Sequence, residues 1–226
     1  MGVATAEPEL DWFEIWREFG DAYVARVDDA ISRAERNVER ELLFCLLGGH
    51  AVPFELAHSA TQVLAPLDVF APEWDLTELE TTVRAQLQQP QFEPRRLDGS
   101  LRRYRYPQRK AQLIGCAAGW LRQNSPLVDV LAAINDEGGR RKRLCECPGV
   151  GLKTASWLLR NIGLAEQLAV IDVHVLRALV DAGRVSGARL PRDYVVVERQ
   201  FLDWCDELGA SPAAFDLLLW EWQRAT

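Results

Sequence analysis

Lysine is scarce in this chain: it occurs at Lys110, Lys142 and Lys153, against 23 arginines. Lys153 directly follows a tight glycine sequence, Pro148-Gly149-Val150-Gly151-Leu152. A primary amine held at such a turn can add to an electrophilic carbon and form a Schiff base. Nineteen residues on, apolar Ala169-Val170-Ile171 runs into Asp172, which is followed by Val173-His174-Val175-Leu176. That places a carboxylate at the N-cap of a helix, where it can also accept a proton or stabilise developing positive charge. Each residue alone has a plainer reading, Lys153 as a surface or phosphate-binding lysine and Asp172 as a cap. The combination of glycine turn, lysine and downstream aspartate favours chemistry.

The turn itself predicts an anion site. A short helix enters and a second leaves, with apolar Val150 plugging the gap between them. Gly149 and Gly151 allow left-handed backbone and close approach to another surface. The first turn of the departing helix presents free N–H groups at the positive end of its dipole. A phosphate is the natural guest, and Arg140, Arg141 and Arg143 lie just upstream.

The 226 residues are 48% hydrophobic and 26% charged, a globular composition without disorder or fibre character. No apolar run approaches the ~20 residues that span a bilayer. Met1–Pro8 has neither the basic nor the apolar part of a signal peptide. The expectation is a cytoplasmic, nucleoid-associated protein. Net charge is −7, yet residues 95–160 hold 14 basic and five acidic residues. This surplus of nine on an otherwise acidic chain reads as a polyanion-binding face, or as solvated arginines paired elsewhere. The five cysteines have no regular spacing, and Cys145-x-Cys147 lacks a second ligand pair. Neither a disulfide framework nor a metal site is expected.

Apolar spacing of three and four predicts helices around those residues. Trp12, Trp16, Phe19, Tyr23, Val27 and Ile31 mark one helix, or two broken near Gly20. Further helices are expected over Glu35–Leu47 (with a buried run Leu42–Leu47), Pro53–Leu64, Leu76–Leu87, Pro107–Leu121, Pro126–Ile134, Val173–Asp181, Tyr194–Leu208 and Pro212–Arg224. Two more flank the glycine turn within Leu144–Asn161. Asp136-Glu137-Gly138-Gly139 reads as a turn, and 90–106 as a Pro/Arg/Tyr-rich loop and domain seam. The fold class is all-α.

Cys147-Pro-Gly-Val-Gly-Leu-Lys153 followed by Val170-Ile-Asp-Val-His174 resembles the helix-hairpin-helix DNA glycosylase superfamily. The chain is most similar to its compact prokaryotic 8-oxoguanine DNA glycosylase/AP lyases, through Ser156–Gly163, Leu43–Leu47 and Phe215–Trp220. The resemblance implies a two-domain helical fold. Residues 1–106 would form an N-terminal domain with 194–226 packed back on it, and 107–193 the hairpin domain. It implies double-stranded DNA with a damaged base as partner, a monomer, and a base flipped into a cleft between helical domains. No cofactor is implied: only Cys205 follows Asp172, so the four-cysteine iron–sulfur cluster of related branches cannot form.

By the same resemblance Lys153 is the nucleophile of a bifunctional enzyme and Asp172 its partner, with Gly149, Val150 and Gly151 on the DNA backbone beside Arg140, Arg141 and Arg143. An amine attacks only without its proton, a form that burial and the helix N-terminus favour. Trp157, one turn past Lys153, and Trp220 are candidate walls of the base pocket. His50 falls where relatives place the asparagine that fills the hole left by flipping. His174 reads as structural, and His58 is unassigned. Related enzymes often end in a lysine near the pocket, whereas this chain ends Gln223-Arg-Ala-Thr226. A glycosylase for oxidised pyrimidines or another modified base, and a non-catalytic DNA-binding module, are the competing readings. The Lys153/Asp172 pair argues against the module, because binding a backbone needs neither.

Overall fold

The structure, a computed structural model, describes residues 11–34, 37–49 and 51–225. Among them are eleven α-helices and no strand longer than an isolated bridge. They group into two compact units, Ile31–Ala165 and Met1–Ala30 with Glu166–Thr226.

In the first unit, α2 (Val38–Leu47) is the central rod. Asn37 caps it by accepting from the Arg40 N–H at 2.8 Å, so the helix begins three residues later than its apolar pattern suggests. Leu42 to Leu47 are all buried. Around α2 pack α3 (Phe54–Leu64), α5 (Pro107–Leu121), α6 (Leu127–Ala132) and α8 (Leu152–Asn161), with α4 (Leu76–Gln88) lying along α5. Small Ala111, Gly115 and Ala118 on α5 are buried, as the small-residue face of that helix predicts.

The expected turn at residues 136–139 is instead the start of α7 (Glu137–Leu144). Asp136 is its N-cap, with Oδ1 accepting the Gly139 N–H at 2.7 Å. Arg141, Lys142 and Arg143 fill its last turn, where positive charge complements the helix dipole. Two glycines disguise this helix, because glycine propensity alone disfavours it.

In the second unit, the aromatic run of α1 (Trp12–Ala34) buries Trp12 edge-on against Trp204, Phe215 and Trp222 at 5.7–6.1 Å. The helix does not break at Gly20. That glycine sits beneath Trp16, whose ring would lie 2.8 Å from any Cβ there. With α1 pack α9 (Val173–Asp181), α10 (Tyr194–Leu208) and α11 (Pro212–Ala225). Tyr23 donates to Glu221 at 2.8 Å, tying α1 to α11.

These units differ from the division at 106 and 193 expected from the sequence. Residues 107–165 group with 31–106, because α2 packs on both α5 and α8. Residues 166–193 group with the terminal helices. The Pro/Arg/Tyr segment is not a seam. It forms a short antiparallel hairpin in which Phe92 and Arg102 exchange backbone hydrogen bonds of 3.1 and 2.9 Å.

Candidate active site

The glycine turn joins α7 to α8. Val150 and Cys147 are buried beneath it, so the expected apolar plug is in place. The two glycines play different parts. Gly149 has φ +88°, and a Cβ there would meet Leu113 and Leu46 at 3.1–3.3 Å, so both backbone and packing require glycine. Gly151 is extended (φ −99°, ψ −178°), forms the N-cap of α8 without a side-chain cap, and would have nothing within 4 Å of a Cβ. Nothing in the chain itself therefore excludes a side chain at Gly151. The space lies on the exposed side, before the uncapped amides of the first turn of α8, as close approach by an outside anion requires.

The upstream arginines are largely engaged by the chain. Arg140 donates to the carbonyls of Ile134 and Leu164 at 2.9 and 2.8 Å. Arg141 reaches Ser156 Oγ at 3.2 Å. Arg143 binds Glu146 and Asn124 and lies over the Trp120 ring. These contacts tie α7 to its surroundings, while Lys142 between them is exposed.

Lys153 is the second residue of α8 and is half-buried, with Nζ 5.3 Å from the centroid of the Trp157 ring. The structure thus brings these two together. Trp157 packs edge-on against Phe44 at 5.1 Å and presses on α2 where it ends: a Cβ on Gly48 would lie 2.9 Å from the Trp157 ring. His50 lies outside the described residues.

Asp172 is the N-cap of α9, as its position predicts. Its Oδ1 accepts the N–H groups of His174 and Val175 at 2.8 and 3.0 Å, so both cap bonds use one oxygen and leave Oδ2 outside the cap. The extended segment before it is buried, and its backbone must be satisfied. Glu198 accepts the Ala169 N–H, Asp216 the Val170 N–H and the Tyr194 hydroxyl the Ile171 N–H, at 3.2–3.3 Å. The Tyr194 hydroxyl in turn donates to the Ala169 carbonyl at 2.8 Å. Beside Asp172 on α9, His174 meets the edge of Trp220 at 6.5 Å, and its Nδ1 is buried without a hydrogen bond. Arg224 lies over the Trp220 ring at 4.3 Å, so the C-terminal helix supplies a cation next to this tryptophan even without a terminal lysine. Asp172 belongs to the unit of Glu166–Thr226, and Lys153 to that of Ile31–Ala165.

Sequence reasoning missed a second set of residues. Lys110 donates from Nζ to the carbonyls of Leu46 and, at 2.6 Å, Gly48, the end of α2 beneath Trp157. Tyr104 donates to the Leu47 carbonyl, and Arg105 to that of Ala51 at 2.8 Å. Three side chains from one segment thus hold the loop after α2, where Gly49 and Ala51 both have positive φ. The scarcity of lysine was a signal for Lys110 as much as for Lys153. Burial, with Arg109 and Lys153 nearby, lowers the Lys110 pKa to about 8.

The family model for 8-oxoguanine DNA glycosylase matches residues 26–210, most of the chain. The chain belongs to the 8-oxoguanine DNA glycosylase family. Two curated members run nearly its full length. An 8-oxoguanine DNA glycosylase/AP lyase of Sulfurisphaera tokodaii is 29% identical over 86% of each chain. One of Metallosphaera sedula is 27% identical over 83% of this chain and 82% of its own. A stronger local match, 35% identity, covers 32% of this chain and 35% of the Fusobacterium nucleatum enzyme. Among solved structures, the Thermotoga maritima 8-oxoguanine DNA glycosylase superposes with a TM-score of 0.68 at 26% identity, covering 92% of each chain. The fold is also that of the Methanocaldococcus jannaschii glycosylase/lyase bound to a 15mer DNA containing 8-oxoguanine, with a TM-score of 0.71 at 20% identity over 96% of this chain and 99% of the other. The all-α helix-hairpin-helix glycosylase fold is therefore that expected from the sequence.

Gly151→Val should lower the melting temperature only slightly, since the fold has room for the side chain and only the N-cap preference for glycine over valine is lost. It should weaken binding to all duplexes about equally, by on the order of tenfold, the cost of losing one to two charge-assisted bonds; anisotropy titrations measure it. Lys110 generates a pH dependence of stability. Its folded pKa of about 8 lies below the unfolded value near ~10.4, so the unfolded chain binds more protons between these values. Stability therefore rises with pH across that window. In urea titrations from pH 7.5 to 10, the stability of wild type relative to Lys110→Met should grow as pH rises.

Proposed function

We propose that this chain excises 8-oxoguanine from double-stranded DNA and then cleaves the strand at the resulting abasic site. The observation that carries the reading is Lys153 on the uncapped first turn of α8, beside Trp157, in a chain of this family. The amides around Gly151 would hold a phosphate of the lesion strand through backbone N–H groups, which carry no sequence information. Val150 would set the turn from below. Arg140, Arg141 and Arg143 would support that contact chiefly by fixing α7, since their guanidinium groups already bind the chain.

With the base flipped out, Lys153 Nζ in its neutral form attacks the sugar C1′. The bond from C1′ to the base breaks, and the base departs with its electron pair and takes up a proton. Opening of the sugar ring gives a Schiff base between Lys153 and C1′. Loss of a proton from C2′ then expels the 3′ phosphate by β-elimination. The Schiff base makes that proton acidic by acting as an electron sink. Hydrolysis of the imine returns the free amine.

Asp172 serves this sequence through Oδ2, the oxygen its cap bonds leave out. It stabilises positive charge on the sugar as the base leaves and accepts the proton that Lys153 sheds on bonding to C1′. Trp157 and Trp220 supply flat apolar faces for the extruded base, and His50 is the proposed filler of the vacated stack. Arg224 over Trp220 supplies a cationic donor for a purine carbonyl oxygen. The enzyme acts as a monomer at the nucleoid.

Lys153→Gln removes the amine while keeping side-chain length. Borohydride should trap wild type, but not this variant, on 8-oxoguanine duplex, and the variant should not nick. Asp172→Asn keeps the cap, since asparagine caps about as well as aspartate. It should retain the melting temperature yet lower single-turnover excision by on the order of 10²-fold or more. Equal rates in the two proteins would remove Asp172 from the mechanism.

A further inference from the structure

The hairpin of residues 92–104 has no part in the mechanism above, and residues 93–100 are exposed along it. Its root is rigid. Phe92 and Tyr104 are buried at 0% and 3% exposure, with their rings edge-on at 6.0 Å. Tyr104, Arg105 and Lys110 then fasten that root to the loop after α2, the loop whose Gly48 lies under Trp157. The hairpin root is therefore fastened to the loop that Trp157 packs against, in the unit that carries Lys153.

Its tip is ordered by its own hydrogen bonds. The N–H of Arg96 donates to Ser100, and that of Gly99 returns to Arg96, both at 2.9 Å. Asp98 accepts from the Ser100 N–H and hydroxyl at 2.9 and 2.6 Å. Arg95 braces the turn from Nη1 to the Gly99 carbonyl at 2.9 Å, and Arg102 from Nε to that of Pro94 at 2.6 Å. Two arginine side chains thus build the finger, while the side chains of exposed Arg96 and Arg103 take no part in those bonds. At the apex stands Leu97, fully exposed at 111%. A rigid turn that holds a leucine in water between arginines has no folding rationale, because the burial that would stabilise leucine is absent. Apolar residues flanked by arginine are how proteins press on sugars and base edges while neutralising phosphates.

We infer that the 92–104 hairpin is a second DNA-gripping element, in which Arg96 and Arg103 neutralise duplex phosphates beside the lesion and Leu97 packs on the sugar and base edges there. The inference rests on the proposed action on lesion DNA. The finger adds affinity for duplex flanking the damaged base and leaves the chemistry at Lys153 untouched. Its own charge is positive, with five arginines against Glu93 and Asp98 between residues 92 and 105, on a chain whose net charge is −7.

The test uses the full chain and a duplex with a central tetrahydrofuran, an abasic analogue that cannot form a Schiff base. Arg96→Gln/Arg103→Gln should weaken binding about tenfold or more at moderate salt. It should also make the slope of log affinity against log salt shallower by about 2, one unit for each phosphate no longer neutralised. Leu97→Ser should weaken binding several-fold with the salt slope unchanged. Both variants should retain the melting temperature and, at saturating protein, the wild-type nicking rate on a true abasic site. Wild-type affinity and slope in the double variant, or a fall in the saturated nicking rate, would overturn the finger while leaving the catalytic proposal standing. Failure of wild type itself to bind or nick lesion DNA would overturn both.

Discussion

The geometry of Lys153 depends on how closely α8 lies on the end of α2. The contact is between Trp157 and the backbone of Gly48, where even a methyl group would come within 2.9 Å of the ring. Only glycine allows it. The same tryptophan presents its face to Lys153 Nζ, 5.3 Å from the ring centroid. A larger residue at 48 would push α8 away and carry Lys153 with it. The close approach also forces the α2 terminus to turn sharply, through Gly49 at φ +107° and Ala51 at φ +61°. Residues held at positive φ without being glycine are strained by roughly 1–3 kcal/mol, and persist where surroundings over-determine them. Tyr104, Arg105 and Lys110 are those surroundings, each bonded to a backbone carbonyl of that turn.

Asp172 is positioned by a comparable accounting of backbone groups. An extended segment inside a helical unit has no neighbouring strand to receive its N–H groups. Glu198, Asp216 and Tyr194 take that place, so three buried polar side chains from α10 and α11 fix the approach to the aspartate. Both residues proposed for the chemistry thus sit at helix starts whose locations are set by other elements. Asp172 caps its helix, whereas the start of α8 is left uncapped and open to an anion.

The helices were legible in the sequence because their apolar spacing is unambiguous: α5, α9 and α10 match their expected bounds. The glycine turn, and the placing of Lys153 and Asp172 at helix starts, were legible because residue type and spacing suffice to mark those positions. What was not legible depends on partners far apart in the chain. Glu198 and Asp216 look like surface acids until the segment they hold is folded against them. Arg140 and Arg143 look like free phosphate ligands until carbonyls and an asparagine take up their donors. The start of α7 was hidden by Gly138 and Gly139, and the 92–102 hairpin by a composition that reads as loop. The domain division shifted for the same reason, since packing of α2 on α8 carries no local signal.

The proposed reaction requires a covalent bond between Lys153 and the sugar. The direct measurement is borohydride reduction of wild type on 8-oxoguanine duplex, followed by proteolysis and mass spectrometry of the DNA-linked peptide. The expected product is a deoxyribose adduct on Lys153, at the start of α8. An adduct at Lys110 or Lys142, or base release with no adduct on any lysine, would contradict it.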